Sequence, residues 1–211
     1  MLKKAFLIGI CLFFLFLVVV FAFMKNGDVK KSVIEAKNKT SAETQAKNEI
    51  FDEPLPEMKN PLIVVKKSDR KLEVFDGDKL IKIYRIGLGF APVGDKEKRG
   101  DGKTPEGEFY IFTKNDKSRF YLSLGVSYPS TEDATRGFRE KMISKTEHDE
   151  IIEAIKNKKM PLQNTALGGE IYIHGNGSKS DWTLGCVALE DEDMKELFEV
   201  IPVGTSVKIE P

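Results

Sequence analysis

Hydrophobic residues divide the chain into three regions with different patterns. Residues 5–24 form an uninterrupted apolar run of 20 residues, about 30 Å of helix and long enough to cross a bilayer. Residues 25–60 interleave charged and amide side chains without a sustained apolar period, which favours a polar, flexible linker. From residue 61 onward, short alternating or continuous apolar stretches return, and they predict a folded domain over residues 61–211.

The amino-terminal apolar run is predicted to be an uncleaved membrane anchor, with a removed secretory signal as the alternative. It ends Phe21-Ala22-Phe23-Met24, which lacks the small-x-small pattern of a cleavage site. Lysines stand on both sides of the run, so the positive-inside bias does not fix its orientation. We therefore divide the chain into an anchor or signal at residues 1–24, a linker at 25–60 and a domain at 61–211.

The folded region is predicted to be mainly β with a few helices, a mixed α+β class. Alternating or continuous apolar stretches predict strands at residues 62–65, 71–75, 80–86, 107–112, 121–126, 171–173, 187–189 and 206–209. Apolar residues at helical spacing predict helices over residues 147–158 and 191–200. The second helix has three acidic residues at its amino end, where they complement the helix dipole.

Charge and composition exclude several classes of protein. Thirty-three basic residues balance thirty-three acidic ones, so the positive surplus of duplex-binding proteins is absent and no nucleic-acid partner is expected. The two cysteines and two histidines are too few for a zinc finger, an iron–sulfur cluster or a disulfide scaffold. No metal and no cofactor are expected, and the sequence does not indicate an oligomeric state.

One pair of residues has the chemistry of a nucleophile and its base. His174 ends a predicted strand and Cys186 begins another, with glycines at positions 175, 177 and 185. Two adjacent strands would bring both side chains to one rim of the sheet, where an imidazole and backbone N–H groups activate a thiol. A buried structural cysteine and a hydrogen-bonded structural histidine are the alternative interpretation.

The segment from Gly100 to Pro105 contains Gly-Lys-Thr and invites comparison with phosphate-binding loops. That motif requires a glycine five positions before Gly102, where Glu97 stands, and a helix afterwards, where a strand is predicted. Phosphate binding is therefore not expected, and the segment is interpreted as a charged turn between strands.

An ordered set of segments resembles the L,D-transpeptidase family with the YkuD catalytic domain. The segments are Gly87–Phe90, Gly100–Phe109, Ser123–Pro129, His174-Gly175, Thr183–Leu189 and Pro202–Val207. They span about residues 61–210 in the family's order, and Trp182-Thr-Leu-Gly-Cys186 is similar to a branch with the pattern Trp-Thr-x-Gly-Cys. The resemblance implies a YkuD-like β-sandwich domain behind the amino-terminal membrane helix.

The resemblance also implies an enzyme of the bacterial cell envelope. Such enzymes act on peptidoglycan stem peptides: a cysteine forms a thioester with the stem, D-alanine leaves, and the amine of a second stem completes a cross-link. The expected location is the cytoplasmic membrane, through the amino-terminal helix, with the catalytic domain outside the cytoplasm. The expected partners are peptidoglycan stems and the membrane.

Residue roles follow from the match to the family's motif. Cys186 would be the nucleophile and His174 the base, with the Gly175 carbonyl orienting the imidazole and the Gly185 backbone on the oxyanion side. Substrate binding is assigned to four further residues: Arg85, Asn176, Trp182 and Thr183.

Two departures from the family leave the reaction open. Many members carry a His two residues before the Cys and an Arg two residues after it, where this chain has Leu184 and Ala188. The missing Arg leaves recognition of the substrate carboxylate unassigned. An L,D-carboxypeptidase, or a hydrolase that releases wall-attached protein, is the alternative with the same chemistry. An inactive wall-binding module is the alternative of a different class.

Overall fold

The computed structural model describes residues 54–211, and the predicted anchor and most of the predicted linker lie outside the described residues. No helix within residues 54–211 is long and apolar enough to cross a membrane. At the start of this part, Leu55 is buried and its N–H donates a hydrogen bond to the Glu196 carboxylate. The chain is therefore packed on the domain before its first strand begins.

The described part of the chain forms eight strands and three helices. The strands are β1 (Pro61–Lys66), β2 (Lys71–Asp76), β3 (Lys79–Arg85), β4 (Gly107–Ser118), β5 (Tyr121–Val126), β6 (Tyr172–His174), β7 (Val187–Ala188) and β8 (Ser206–Glu210). The helices are α1 (Thr131–Arg139), α2 (Lys145–Lys156) and α3 (Asp191–Val200). This composition confirms the predicted mixed, mainly β class.

The strands form one curled sheet in the order β3-β2-β1-β8-β4-β5-β6-β7. The curl lies at β4, whose two halves have different partners. Its residues 107–110 pair with β8, and residues 111–118 pair with β5 with two shifts of register. The expected sandwich is therefore made by one continuous sheet that folds over on itself, and not by two separate sheets.

A single hydrophobic core joins the two halves of the sheet. Ile63 and Val207 come from the first half, Leu124 and Ile173 come from the second, and Met194 comes from α3. All five side chains are excluded from solvent, and each such burial stabilises the fold by about 1.5–3 kcal/mol. The alternation that predicted these strands arises because one face of each half contacts this core.

Helices α1 and α2 cover a smaller core formed by Ala134, Ile143, Ile151 and Leu167. Each helix begins with a capping box, formed by Ser130 and Asp133 in α1 and by Ser144 and Glu147 in α2. In each box the serine hydroxyl accepts a hydrogen bond from the acidic residue's N–H, and the carboxylate accepts one from the serine N–H. Helix α1 was not predicted from the sequence, because only two of its nine residues, Ala134 and Phe138, have apolar side chains. Its start is fixed by this cap and its position by packing on the smaller core.

Candidate active site

Cys186 lies at the end of a tight turn that leads into β7. The Thr183 hydroxyl organises this turn, because Oγ1 accepts from the Gly185 N–H at 3.1 Å and donates to the Cys186 carbonyl at 2.8 Å. The Thr183 side chain is buried. Its hydroxyl is used within the turn, which favours a positioning role over direct contact with substrate.

The turn has room for a glycine, but for no larger residue, at position 185. Gly185 has φ +137°, and a Cβ placed there would lie 2.7 Å from the Lys103 carbonyl oxygen. The Gly185 N–H already donates to Thr183, so an oxyanion would have to be bound by another N–H group. Gly185 instead lets the loop that contains Lys103 lie directly against the turn before Cys186.

The Cys186 sulfur is half-buried and is held by backbone groups of the neighbouring strand. The Tyr172 N–H donates to Sγ at 3.4 Å, and the thiol donates to the Glu170 carbonyl at 3.5 Å. Burial raises the pKa of the Cys186 thiol to about 11, although the Tyr172 N–H and the Lys96 ammonium act to lower it. The resting sulfur is therefore a protonated thiol at neutral pH.

His174 ends β6 with its ring held in one orientation. Nδ1 lies 2.7 Å from the Gly175 carbonyl oxygen, and since a carbonyl only accepts, we place the proton of the neutral ring on Nδ1. The ring stacks on Phe120 at 4.7 Å between centroids and meets the edge of Trp182 at 5.6 Å. Burial lowers the pKa of His174, so the ring is neutral at pH 7 with Nε2 available as an acceptor.

Strands β6 and β7, which His174 ends and Cys186 precedes, are neighbours in the sheet. The strands pair in parallel, with Ile173 opposite Val187 and His174 opposite Ala188. His174 Nε2 has no hydrogen-bond partner within residues 54–211. Because every fully buried side-chain nitrogen and oxygen in that range has a partner, Nε2 keeps contact with solvent. His174 is thus on β6 and Cys186 immediately precedes the neighbouring β7, without a hydrogen bond between the imidazole and the thiol.

The other predicted substrate-binding residues lie around a surface pocket beside His174. Asn176 and Trp182 border this pocket of about 470 Å³, together with Glu190 and Asp191. Trp182 Nε1 donates to the Gly177 carbonyl at 3.0 Å, and the Asn176 N–H donates to the Asp191 carboxylate at 2.7 Å.

Arg85 is exposed at the end of β3, where its positive charge acts to lower the pKa of Glu190. Cys186 is not among the residues that border the pocket. The structure therefore places Asn176 and Trp182 on the border of a pocket that neither Arg85 nor Cys186 borders.

The position at which many family members have an arginine is occupied by buried Ala188. Its N–H and carbonyl both bond to Gly87, on the segment that runs beside β7. Leu184, by contrast, is exposed within the turn before Cys186. No cationic side chain therefore stands at position 188.

Sequence reasoning missed Glu170, Tyr172 and Phe120, which hold the sulfur and the imidazole. Tyr172 and Glu170 act through backbone groups, so their side chains carry no signal. Phe120 is 54 residues from His174 along the chain. The two residues come close because strand β5, which begins just after Phe120, pairs with strand β6, which ends at His174.

Comparison with known proteins identifies the family. The family model of the YkuD L,D-transpeptidase catalytic domain matches residues 60–209, which is most of the chain. The chain belongs to the YkuD family. This match covers the whole folded region, including both His174 and Cys186.

Two curated relatives and one solved structure illustrate the similarity of this YkuD protein to others. "Putative L,D-transpeptidase YafK" of Escherichia coli is 24% identical over 146 residues, 66% of this chain and 46% of the relative. "Putative L,D-transpeptidase YqjB" of Bacillus subtilis is 25% identical over 163 residues, 75% of this chain and 74% of the relative. The helical cell shape determining protein Pgp2 of Campylobacter jejuni is 24% identical with a TM-score of 0.49, covering 77% of this chain and 53% of Pgp2. The chain thus spans about half the length of the Escherichia coli relative it matches.

Proposed function

We propose that this protein is a cysteine acyl-transferase that forms peptidoglycan cross-links, with Cys186 as the nucleophile and His174 as the base. The observation that carries the proposal is the orientation of His174. Its Nδ1 is held on the Gly175 carbonyl, which leaves Nε2 as an acceptor on the strand beside the Cys186 turn. This arrangement is that of a base fixed in one tautomer by a third group.

The proposed reaction has two acyl-transfer steps. The Cys186 thiol passes its proton to His174 Nε2, and the sulfur attacks the carbonyl carbon that precedes D-alanine in a stem peptide. The C–N bond breaks, the imidazolium gives its proton to the leaving amine, and a thioester remains on Cys186. The amine of a second stem attacks this thioester and loses a proton to His174. Cleavage of the C–S bond then restores the thiol with that proton.

The resting contacts of the sulfur determine how this reaction must start. The thiol donates to the Glu170 carbonyl, so it has to turn away from that oxygen to reach Nε2. Because burial raises the pKa of the thiol and lowers that of the imidazole, a free thiolate–imidazolium pair is disfavoured before substrate arrives. We infer that proton transfer is coupled to attack on the substrate, as general-base catalysis allows.

The proposed location follows from the proposed substrate. An enzyme of peptidoglycan stems works in the cell envelope outside the cytoplasm, and the amino-terminal apolar run would anchor it in the cytoplasmic membrane. The stem peptides and the membrane are the proposed partners.

Incubating the full-length protein with tetrapeptide muropeptides tests the proposal. We expect a cross-linked dimer and a mass corresponding to the acyl-enzyme on Cys186. Cys186→Ala should abolish both products with little unfolding, because the sulfur is half-buried. Cys11→Ala removes the chain's other cysteine and should retain activity. Loss of D-alanine without a dimer would replace transfer by hydrolysis, and no product from a folded, alkylatable protein would refute the acyl-enzyme.

A second candidate, a wall-binding module without catalysis, is favoured by the raised thiol pKa and the lack of a Cys186–His174 hydrogen bond. It predicts binding to purified sacculi that is unchanged in Cys186→Ala. It also predicts no adduct when the protein is incubated with stem peptides. The two functions are therefore separated by mass spectrometry of Cys186 after incubation with substrate.

A further inference from the structure

The loop of residues 96–103, which overlaps the Gly100–Pro105 segment compared with phosphate-binding loops, is built around one carboxylate. Asp101 accepts a hydrogen bond from the Lys96 ammonium at 2.7 Å. It also accepts from the backbone N–H groups of Glu97, Lys98 and Lys103, at 2.8, 3.0 and 3.1 Å. We call this segment the Asp101 loop. Its shape is fixed by interactions to a single side chain.

Lys96 places a positive charge inside the protein. Its side chain is 3% exposed and its ammonium donates to Asp101 and to the Lys98 carbonyl, with the Tyr128 ring 5.9 Å away. Arg136 donates to the Lys96 carbonyl from helix α1, so the backbone is anchored as well. A buried ammonium needs such partners because leaving water is costly for a charge.

The Asp101 loop lies against two segments that lead to the Cys186 site. Its Lys103 carbonyl lies against Gly185, immediately before the nucleophile. Lys96 Cε lies 3.4 Å from the position that a Cβ on Gly168 would take, two residues before the Glu170 carbonyl that accepts from the thiol. The ammonium is thus held on a loop that contacts both the turn before Cys186 and the segment before the thiol's acceptor, and its charge acts on the sulfur.

We propose that Lys96 is a positioning residue for Cys186, whose buried ammonium stabilises the negative charge that develops on the sulfur as the thiol loses its proton. The inference rests on the proposed function only in taking Cys186 as the nucleophile. Lys96 keeps its own proton, and His174 takes the proton of the thiol. Two charged groups act on the ionisation of the sulfur: Lys96 favours the thiolate and Glu170 disfavours it. Asp101 holds the Lys96 ammonium in place.

Alkylation of Cys186 by iodoacetamide tests this role without any substrate. In full-length protein carrying Cys11→Ala, the rate at pH 8 reports the thiolate fraction of Cys186 alone, and each unit of thiol pKa changes that rate about tenfold. Lys96→Gln removes the charge but keeps an N–H donor for Asp101. We expect it to slow alkylation about three- to tenfold, and Lys96→Arg to restore the rate to within about twofold of the parent.

Lys67 provides a matched control. Its side chain is 2% exposed, and its ammonium holds the Gly94 and Thr104 carbonyls and Glu106 on the flanks of the same loop. Lys67→Gln therefore disturbs the loop's surroundings without removing the charge beside the sulfur, and its alkylation rate should stay within about twofold of the parent. If Lys96→Gln does not fold, Lys96→Met provides a second uncharged variant.

The possible results separate this inference from the proposed function. Slow alkylation in an uncharged Lys96 variant, with Lys67→Gln unaffected, supports the role of Lys96. An unchanged rate, or equal slowing in both variants, overturns it. If Lys96 controls alkylation but the parent protein yields no product from muropeptides, the proposed function fails while the role of Lys96 stands.

Discussion

Replacing Gly185 by alanine should damage both the stability of the domain and the reactivity of Cys186. Gly185 has φ +137°, a conformation that side chains with a Cβ rarely adopt. The added Cβ would lie 2.7 Å from the Lys103 carbonyl oxygen. That oxygen belongs to the backbone of the Asp101 loop, so it cannot move aside as the end of a flexible side chain would.

The loss of stability follows from the strained backbone at position 185 and from the overlap of the new Cβ with the Lys103 carbonyl oxygen. A non-glycine residue held in such a conformation costs about 1–3 kcal/mol, and the overlap with Lys103 adds to this cost. We therefore expect a loss of about 3 kcal/mol in the free energy of unfolding. For a domain of this size, each kcal/mol lowers Tm by about 2–4 °C, which predicts a fall of about 6–12 °C.

Gly77→Ala is the matched control for this experiment. Gly77 also has a positive φ, +58°, but a Cβ there would have no atom within 4 Å. It should cost about 1 kcal/mol and leave alkylation of Cys186 unchanged. Thermal unfolding gives Tm, and the iodoacetamide rate reports the site. Equal Tm values for the two variants, together with an unchanged alkylation rate in Gly185→Ala, would refute the steric argument.

Two further predictions concern titrating groups. Burial acts to raise the pKa of Asp101, but bonds from Lys96 and from the Lys98, Glu97 and Lys103 N–H groups outweigh it and lower the pKa to about 2. Asp101 therefore stabilises the fold by about 2 kcal/mol above pH ~4, and this stabilisation is lost as the pH falls through ~2. In urea unfolding, Asp101→Asn should lose that part of the pH dependence of the free energy of unfolding. A pH dependence equal to that of the parent protein would contradict this prediction. Phe120→Ala should expose the His174 ring and raise the pKa of His174, which NMR titration measures. Phe138→Ala is the control, because Phe138 contacts the ring of the other histidine, His148. An unchanged His174 titration in Phe120→Ala would show that Phe120 does not bury the ring.

Much of the sheet could be predicted from the sequence because its alternation reflects one buried face. The stretches at 71–75 and 121–126 correspond to β2 and β5, and the predicted helix at 191–200 has the observed bounds of α3. Local signals failed where tertiary contacts decide the structure. β4 extends to Ser118, beyond the predicted residue 112, because its second half pairs with β5.

Cys186 and His174 could be identified from the sequence as the candidate nucleophile and base, but their hydrogen-bond partners could not. Glycines beside a Cys and a His at strand ends predict that the two side chains share a rim of the sheet. Strands β6 and β7 pair in parallel with His174 opposite Ala188, so His174 stands at the end of one strand and Cys186 just before the start of its neighbour. The resting contact of the thiol is decided by the Glu170 and Tyr172 backbone groups. Backbone groups exist at every position, so no pattern of residue types distinguishes these two.

The resemblance of the Asp101 loop to a phosphate-binding loop has a physical explanation. Both arrangements surround an anion with backbone N–H groups and a lysine ammonium. In this loop the anion is the Asp101 carboxylate, which already occupies the N–H groups of Glu97, Lys98 and Lys103. A phosphate would have to displace a carboxylate that is covalently part of the chain, which explains why the same residue types hold the loop in place instead of binding a ligand. The loop then holds the Lys96 ammonium in a fixed position, bonded to Asp101 and to the Lys98 carbonyl.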